Sequence, residues 1–202
     1  MACERNRILD ITQYFESLGI EVNIGKNKAR GNKGFFKADN QNFRIDIAKG
    51  QTEETIIRTL VHEFAHYVHY SYDKTLKSLD FIINEDDNLT EELIKLTVDS
   101  IPKESIAPIF QAKDKIKSEI KKLPKSLTNK LKLNFLQKEL NRINSRISRL
   151  NKYYNSPTEL FARSIETYIL DKEVFRKKAP NLAKYYEQSY IPLIENLQKI
   201  LL

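Results

Sequence analysis

The order of apolar and polar residues predicts two helices and three strands in the first part of the chain. Helical spacing of apolar residues at 7–19 and at 56–70 predicts amphipathic helices. Alternation from Ile20 to Ile24 and from Phe43 to Ile47, with the pair Phe35-Phe36 between them, predicts three strands. We therefore expect a mostly helical α+β fold with a small antiparallel or mixed sheet near the N-terminus.

A long segment, residues 84–152, follows the second helix. One series of apolar residues repeats there at three- and four-residue intervals, as on a packed helix: Leu133, Leu136, Leu140, Ile143, Ile147 and Leu150. A second series, from Ile109 to Leu123, predicts a partner helix, and Pro124 breaks the chain between the two. We expect a single domain, 1–202, with an inserted helical hairpin at 84–152.

The second predicted helix contains the sequence His62-Glu63-Phe64-Ala65-His66. Residues four apart share one helix face, so His62 and His66 can direct their imidazoles at one metal ion. Neutral imidazole binds zinc well, and Glu63 is placed to take a proton from water on that ion. The alternative is a core helix whose histidines are satisfied by hydrogen bonds alone.

A catalytic zinc ion needs a third protein ligand. His69 is the only other histidine, but it lies about 10 Å along the helix from His62, so we expect it behind the ligands or at the surface. The better candidates lie downstream, where Ser156 or Thr158 can cap a helix and Pro157 suits its first turn. Glu159 falls in its first turn, and Glu166 lies two turns later near the same stripe.

Together these segments resemble the gluzincin metallopeptidases, which carry H-E-x-x-H and an E-[FL]-F-A helix. His62-Glu-Phe-Ala-His66 followed by Pro157-Thr-Glu159-Leu-Phe-Ala162 is similar to the lethal-factor and Pro-Pro endopeptidase family and to zincin-like domains of phages and mobile elements. The resemblance covers roughly 44–72 and 153–195. It implies a zincin-like fold with Zn²⁺ bound by His62, His66 and Glu159, and with Glu63 as the general base.

Two features depart from the lethal-factor group. That group has an acidic residue four positions after the third ligand, where this chain has Arg163, the form expected in the mobile-element type. It also places a tyrosine just before the ligand helix to donate a hydrogen bond to the developing oxyanion. Tyr153 and Tyr154 lie near that place with a different spacing. They are candidate catalytic residues, and loop packing is the alternative role.

Zincins usually flank the metal helix with a sheet whose edge strand binds the substrate as an added strand. The strand at 43–48 ends just before the metal helix, so we expect it at that edge. Gly25, Gly31 and Gly34, with basic residues among them, predict a solvated loop between the first two strands.

Positive charge is concentrated in the predicted hairpin. The chain has 202 residues and a formal net charge of +7, while residues 103–153 alone hold 14 Lys+Arg and 4 Asp+Glu. Arg142, Arg146 and Arg149 form a basic stripe beside the apolar seam, which could contact nucleic-acid phosphates or an acidic protein. The alternative is a plain solvated face, which is the more common role of such a charge run. No aromatic residues interleave the basic ones, so a base-stacking platform is not supported, and we favour a protein partner over nucleic acid.

The sequence also predicts where the protein acts. It has no apolar run long enough to span a membrane, which takes about 18 residues or more, and its N-terminus lacks the apolar core of a signal peptide. A single cysteine, Cys3, cannot form an intramolecular disulfide, which is typical of a reducing compartment. We expect a cytoplasmic protein without a membrane partner.

The resulting hypothesis is a zinc-dependent endopeptidase that hydrolyses a protein or peptide substrate with metal-activated water. The alternative is a catalytically weak zincin-fold binding or regulatory module, associated with nucleic acid through the hairpin. A DNA-recruited peptidase like the SprT-like proteases fits less well, because that family generally uses a third histidine. A repressor-cleaving regulator of the ImmA/IrrE type is a further alternative, although its typical E-A-x-x-F-A pattern is missing.

Overall fold

The computed structural model describes residues 6–26, 33–39, 42–79, 87–100, 103–124, 129–188 and 192–201. In these ranges the chain forms α1 (Arg7–Ser17), β1 (Ile20–Lys26), β2 (Gly34–Asp39), β3 (Asn42–Ala48), α2 (Glu53–Tyr72), α3 (Asp87–Ser100), α4 (Lys103–Lys122), α5 (Lys130–Tyr154), α6 (Pro157–Leu170), α7 (Lys172–Lys178), α8 (Pro180–Gln188) and α9 (Pro192–Leu201). The predicted α+β fold, mostly helical with a small sheet, is confirmed. No helix within the described ranges is long and apolar enough to cross a membrane.

The chain divides into two compact units. The first comprises residues 1–99 and 156–202, and the second comprises residues 100–155. The second unit therefore begins at Ser100 and not at residue 84, where the sequence pattern placed the start of the insertion. The reason is that α3 contributes Leu89, Leu93 and Leu96 to the core of the first unit.

The second unit consists of α4 and α5 packed against each other, as the two apolar series predict. Leu136 is the buried member of the α5 series, whereas Leu133 is 40% exposed at the start of that series. Arg142, Arg146 and Arg149 are all exposed on α5. The basic stripe is thus available to solvent within this unit.

The three strands form one mixed sheet in the order β1-β3-β2. β3 is parallel to β1 and antiparallel to β2. The expectation that the strand at 43–48 lies at an edge is therefore wrong, because β3 is hydrogen-bonded on both sides. Its residues Ile45 and Ile47 are fully buried, as befits a central strand. β2 lies at an edge of the described sheet.

The helix that carries the histidines, α2, is fixed in the core of the first unit. Thr52 accepts a hydrogen bond from the Thr55 backbone N–H at 3.3 Å and caps its start. The helix packs against α6 on one side and against β2 and β3 on another. Phe64 is fully buried and stacks on Phe15 of α1 with ring centroids 4.5 Å apart. These contacts determine which way the polar stripe of α2 faces.

The helix α6 brings the downstream glutamates to this stripe. Of the two candidate caps, Ser156 is the N-cap, and Pro157 lies in the first turn as the sequence predicts. Its buried apolar residues, Leu160, Phe161, Ala162 and Ile165, belong to the same core as those of α2. The packing of α2 on α6 thus brings together residues that are about one hundred positions apart in the chain.

Candidate metal centre

His62, His66 and Glu159 form one group between α2 and α6. His62 Nε2 lies 3.6 Å from Glu159 Oε2, and His66 Nε2 lies 3.4 Å from Glu159 Oε1. One ligand atom from each of the three residues lies within 4.8 Å of the other two. This group of two imidazoles and one carboxylate could hold a metal ion.

The carboxylate of Glu159 supports this interpretation. Its side chain is 3% exposed, and its Oε2 atom has no hydrogen-bond partner among the described residues. Burial by itself would raise the pKa of Glu159, but the imidazoles of His62 and His66 hold it well below its usual range. A buried, ionised oxygen without a donor costs free energy, and a cation bound there would remove that cost.

The second nitrogen of each imidazole ring, Nδ1, also contacts a polar side chain. His62 Nδ1 lies 3.0 Å from Glu166 Oε2, and His66 Nδ1 lies 2.8 Å from Thr158 Oγ1. With Nδ1–H as the donor in each ring, both Nε2 atoms are left as acceptors on the side of Glu159. Of the two candidate third ligands, Glu159 therefore joins the group, while Glu166 contacts the opposite ring nitrogen of His62.

Glu63 lies beside this group and is itself buried. Burial raises the pKa of its carboxyl, and the imidazoles of His66 and His62 offset part of that rise. A hydrogen bond from the backbone of Phe36 on β2 also lowers its pKa. The carboxylate is thus held between the metal group and the edge strand of the sheet.

Gly34 allows β2 to approach Glu63 closely. A Cβ atom at position 34 would lie 2.4 Å from Thr59 Cγ2 and 3.0 Å from both Cγ and Oε1 of Glu63. The sequence pattern assigns Gly34 to a loop, but it is the first residue of β2. A glycine next to a strand pattern can indicate such a close approach, and this is the signal that could have identified it.

The group of His62, His66 and Glu159 does not include the other candidate residues. Tyr153 and Tyr154 belong to the second unit, at the end of α5, with their rings 5.2 Å apart; their role at the oxyanion stays a prediction. His69 is fully buried and donates from Nε2 to the Ser78 carbonyl at 2.8 Å, so it is neither a ligand nor a surface residue. Arg163 Nε lies 3.8 Å from Glu159 Oε2. The acid that contacts His62 is Glu166, seven positions after Glu159.

Comparisons of the chain with protein-family models, with curated proteins and with solved structures found no match. The candidate metal centre therefore rests on the geometry of the chain's own residues. Two nitrogen donors and one oxygen donor face a common point, and a buried carboxylate lies next to them.

Proposed function

We propose that the protein is a zinc-dependent endopeptidase whose metal ion is bound by His62, His66 and Glu159. The observation that carries the proposal is the convergence of these three ligands beside the buried carboxylate of Glu63. Catalytic zinc sites use three protein ligands of these types and leave a position for water, whereas structural sites are usually closed by four. A site that only stabilised the fold would not require a carboxylate at position 63.

When bound, zinc would act as a Lewis acid toward the scissile carbonyl and the attacking water. Glu63 takes a proton from that water on a carboxylate oxygen and then delivers it to the leaving amide nitrogen. Its raised pKa suits both steps, because a group that accepts and returns a proton works best with a pKa near the working pH. Glu166 and Thr158 keep the imidazoles oriented with Nε2 toward the ion.

The edge strand β2 is the proposed binding place for the peptide substrate. β2 pairs with β3 on one side, and the described sheet has no strand beyond it on the other. An extended peptide can add to such an edge through backbone hydrogen bonds. Gly34 and Phe36 of β2 both approach Glu63, so a peptide added here would place its backbone near the base. β2 thus takes the place that the sequence pattern assigned to β3.

A protein substrate in the cytoplasm remains the proposed partner and location. The alternative, a catalytically weak zincin-fold binding module that contacts nucleic acid through the hairpin, shares the metal site but not the need for Glu63. The two proposals therefore differ in what a change at position 63 does.

The test is the variant Glu63→Gln, which keeps the size of the side chain but cannot act as a base. We expect it to retain zinc and stability while hydrolysis of any unfolded protein or peptide that the wild type cleaves falls by about 100-fold or more. Glu54→Gln is the matched control, because Glu54 lies exposed in the first turn of the same helix. Full activity of Glu63→Gln would remove Glu63 from the mechanism.

A further inference from the structure

A series of charged side chains leads from His62 away from the metal group. Glu166 accepts from His62 Nδ1 at Oε2, 3.0 Å away, and from Arg58 Nη1 at Oε1, 3.1 Å away. Arg58 in turn donates to Asp171 Oδ2 from Nη1 at 3.3 Å and from Nη2 at 3.2 Å. Both oxygens of the buried Glu166 carboxylate are thus held by different donors, and the second donor is itself held by an acid.

We infer that Arg58 is a positioning residue of the metal site, which holds Glu166 against His62, and that Asp171 holds Arg58 in turn. This inference rests on the proposed zinc site and adds residues that the metal group does not include. A carboxylate that is held by one hydrogen bond can rotate about its terminal bond. With Arg58 on the other oxygen, Glu166 has one orientation, and the ring of His62 is oriented with it.

The packing of α2 on α6 explains why these residues meet. Arg58 lies four positions before His62, one turn earlier on α2. Glu166 lies two turns after Glu159 on α6, so the contact that joins the ligands also joins the residues behind them. Asp171 directly follows α6 and is the N-cap residue of α7. Its carboxylate makes no capping hydrogen bond to α7 and accepts from Arg58.

The outer end of the series is open to small molecules. Arg58 and Asp171 line a surface pocket of about 770 Å³, together with apolar residues that include Ile57 and Ile169. The Arg58 side chain is 41% exposed, although its guanidinium contacts the buried Glu166. Truncation of Arg58 would therefore leave a place next to Glu166 that guanidinium ion can reach from solution. This permits chemical rescue.

The experiment measures the zinc affinity of the whole 202-residue chain by competition with a chromophoric chelator. We expect Arg58→Ala to bind zinc about 10-fold more weakly, the lower end of the effect of such outer partners on metal affinity. Guanidinium chloride, far below unfolding concentrations, should restore much of the affinity, whereas equal concentrations of sodium chloride or urea should not. Arg176→Ala is the matched control, because it removes an exposed ion pair, Arg176–Glu187, whose atoms lie 2.6 Å apart. Its zinc affinity should match the wild type and should not change with guanidinium chloride, sodium chloride or urea.

Asp171→Asn is the second variant, since it keeps the size of the side chain and removes the charge that holds Arg58. It should weaken zinc binding in the same direction but less than Arg58→Ala. Unchanged zinc affinity in Arg58→Ala would overturn the inference. A loss of zinc affinity that guanidinium does not restore, and that Asp171→Asn does not share, would overturn it as well. If the wild type itself binds no zinc, the proposed metal centre fails and the inference fails with it, so the two failures are distinguishable.

Discussion

Because β2 approaches α2 closely at Gly34, we expect the single methyl group added by Gly34→Ala to affect both stability and activity. In Gly34→Ala, the new Cβ would lie 2.4 Å from Thr59 Cγ2, while carbon atoms pack best at about 3.5–4.0 Å. The strand, the helix or the Thr59 side chain must therefore move by about 1 Å. The same Cβ would lie 3.0 Å from Glu63 Cγ and Oε1, so the displacement occurs at the proposed base.

The expected effect has two parts. Gly→Ala within a strand ordinarily stabilises by about 0.5–1 kcal/mol, but overpacking costs about 1–3 kcal/mol, so we expect a net loss of stability. For a protein of this size each kcal/mol lowers the melting temperature by about 2–4 °C. A displacement of about 1 Å at a catalytic group can reduce the rate by about 100-fold. Zinc content should be unchanged, because the atoms nearest the new Cβ belong to Thr59 and Glu63, and neither residue is a proposed metal ligand.

Thermal unfolding, peptide hydrolysis and zinc content of Gly34→Ala measure these effects. The double variant Gly34→Ala/Thr59→Ser tests the cause, since it removes Cγ2 and keeps the hydroxyl that donates to the Thr55 carbonyl at 2.6 Å. We expect it to regain most of the stability and only part of the activity, because the contacts to Glu63 remain. Thr59→Ser alone is the control. Wild-type stability and activity in Gly34→Ala would refute the reasoning.

Two further predictions concern His62 and the hairpin. Burial lowers the pKa of His62, but Glu159 and Glu166 outweigh this effect and raise it from 6.5 to about 9 in the metal-free protein. The free energy of unfolding, measured in urea with a chelator present, should therefore fall as the pH rises from 6.5 through about 9. Zinc uptake below pH 9 should release a proton, which is measured as a heat of binding that depends on the buffer. A free energy of unfolding that does not change over this pH range would contradict the assigned contacts of His62. Replacing Arg142, Arg146 and Arg149 by Gln should leave zinc content and folding intact and weaken capture of the natural partner. If the partner is nucleic acid, binding of the wild type to DNA or RNA should weaken steeply with salt, and the triple variant should show a shallower slope. Salt-independent binding to DNA or RNA, or no binding to either, favours an acidic protein as the partner.

The sequence predicted most of the helices and strands because their apolar spacing is regular. The residues around His62 and His66 show helical periodicity, and α2 is accordingly packed in the core. The alternation at Ile45 and Ile47 predicted a strand, but it could not show whether that strand lies at the centre or the edge. Strand order depends on contacts between distant segments, and local periodicity does not encode them.

In the candidate site, too, the sequence predicted what local spacing determines and could not predict what depends on contacts between distant segments. The spacing of His62 and His66 placed both on one face of one helix, where local geometry is sufficient. Glu159 and Glu166 share a stripe of α6, and only the packing of α6 on α2 shows which ring nitrogen of His62 each faces. The part played by Arg58 depends on that same packing, so its position in the sequence gave no indication.

The metal content of the purified protein is the most direct test of the proposed centre. Mass spectrometry of the wild type should find about one zinc ion per chain, as a three-ligand catalytic site requires. His62→Ala and Glu159→Ala should lose that zinc, while Glu173→Ala, which changes an exposed acid on α7, should retain it. A wild type without zinc, or unchanged zinc in Glu159→Ala, would contradict the proposed metal centre.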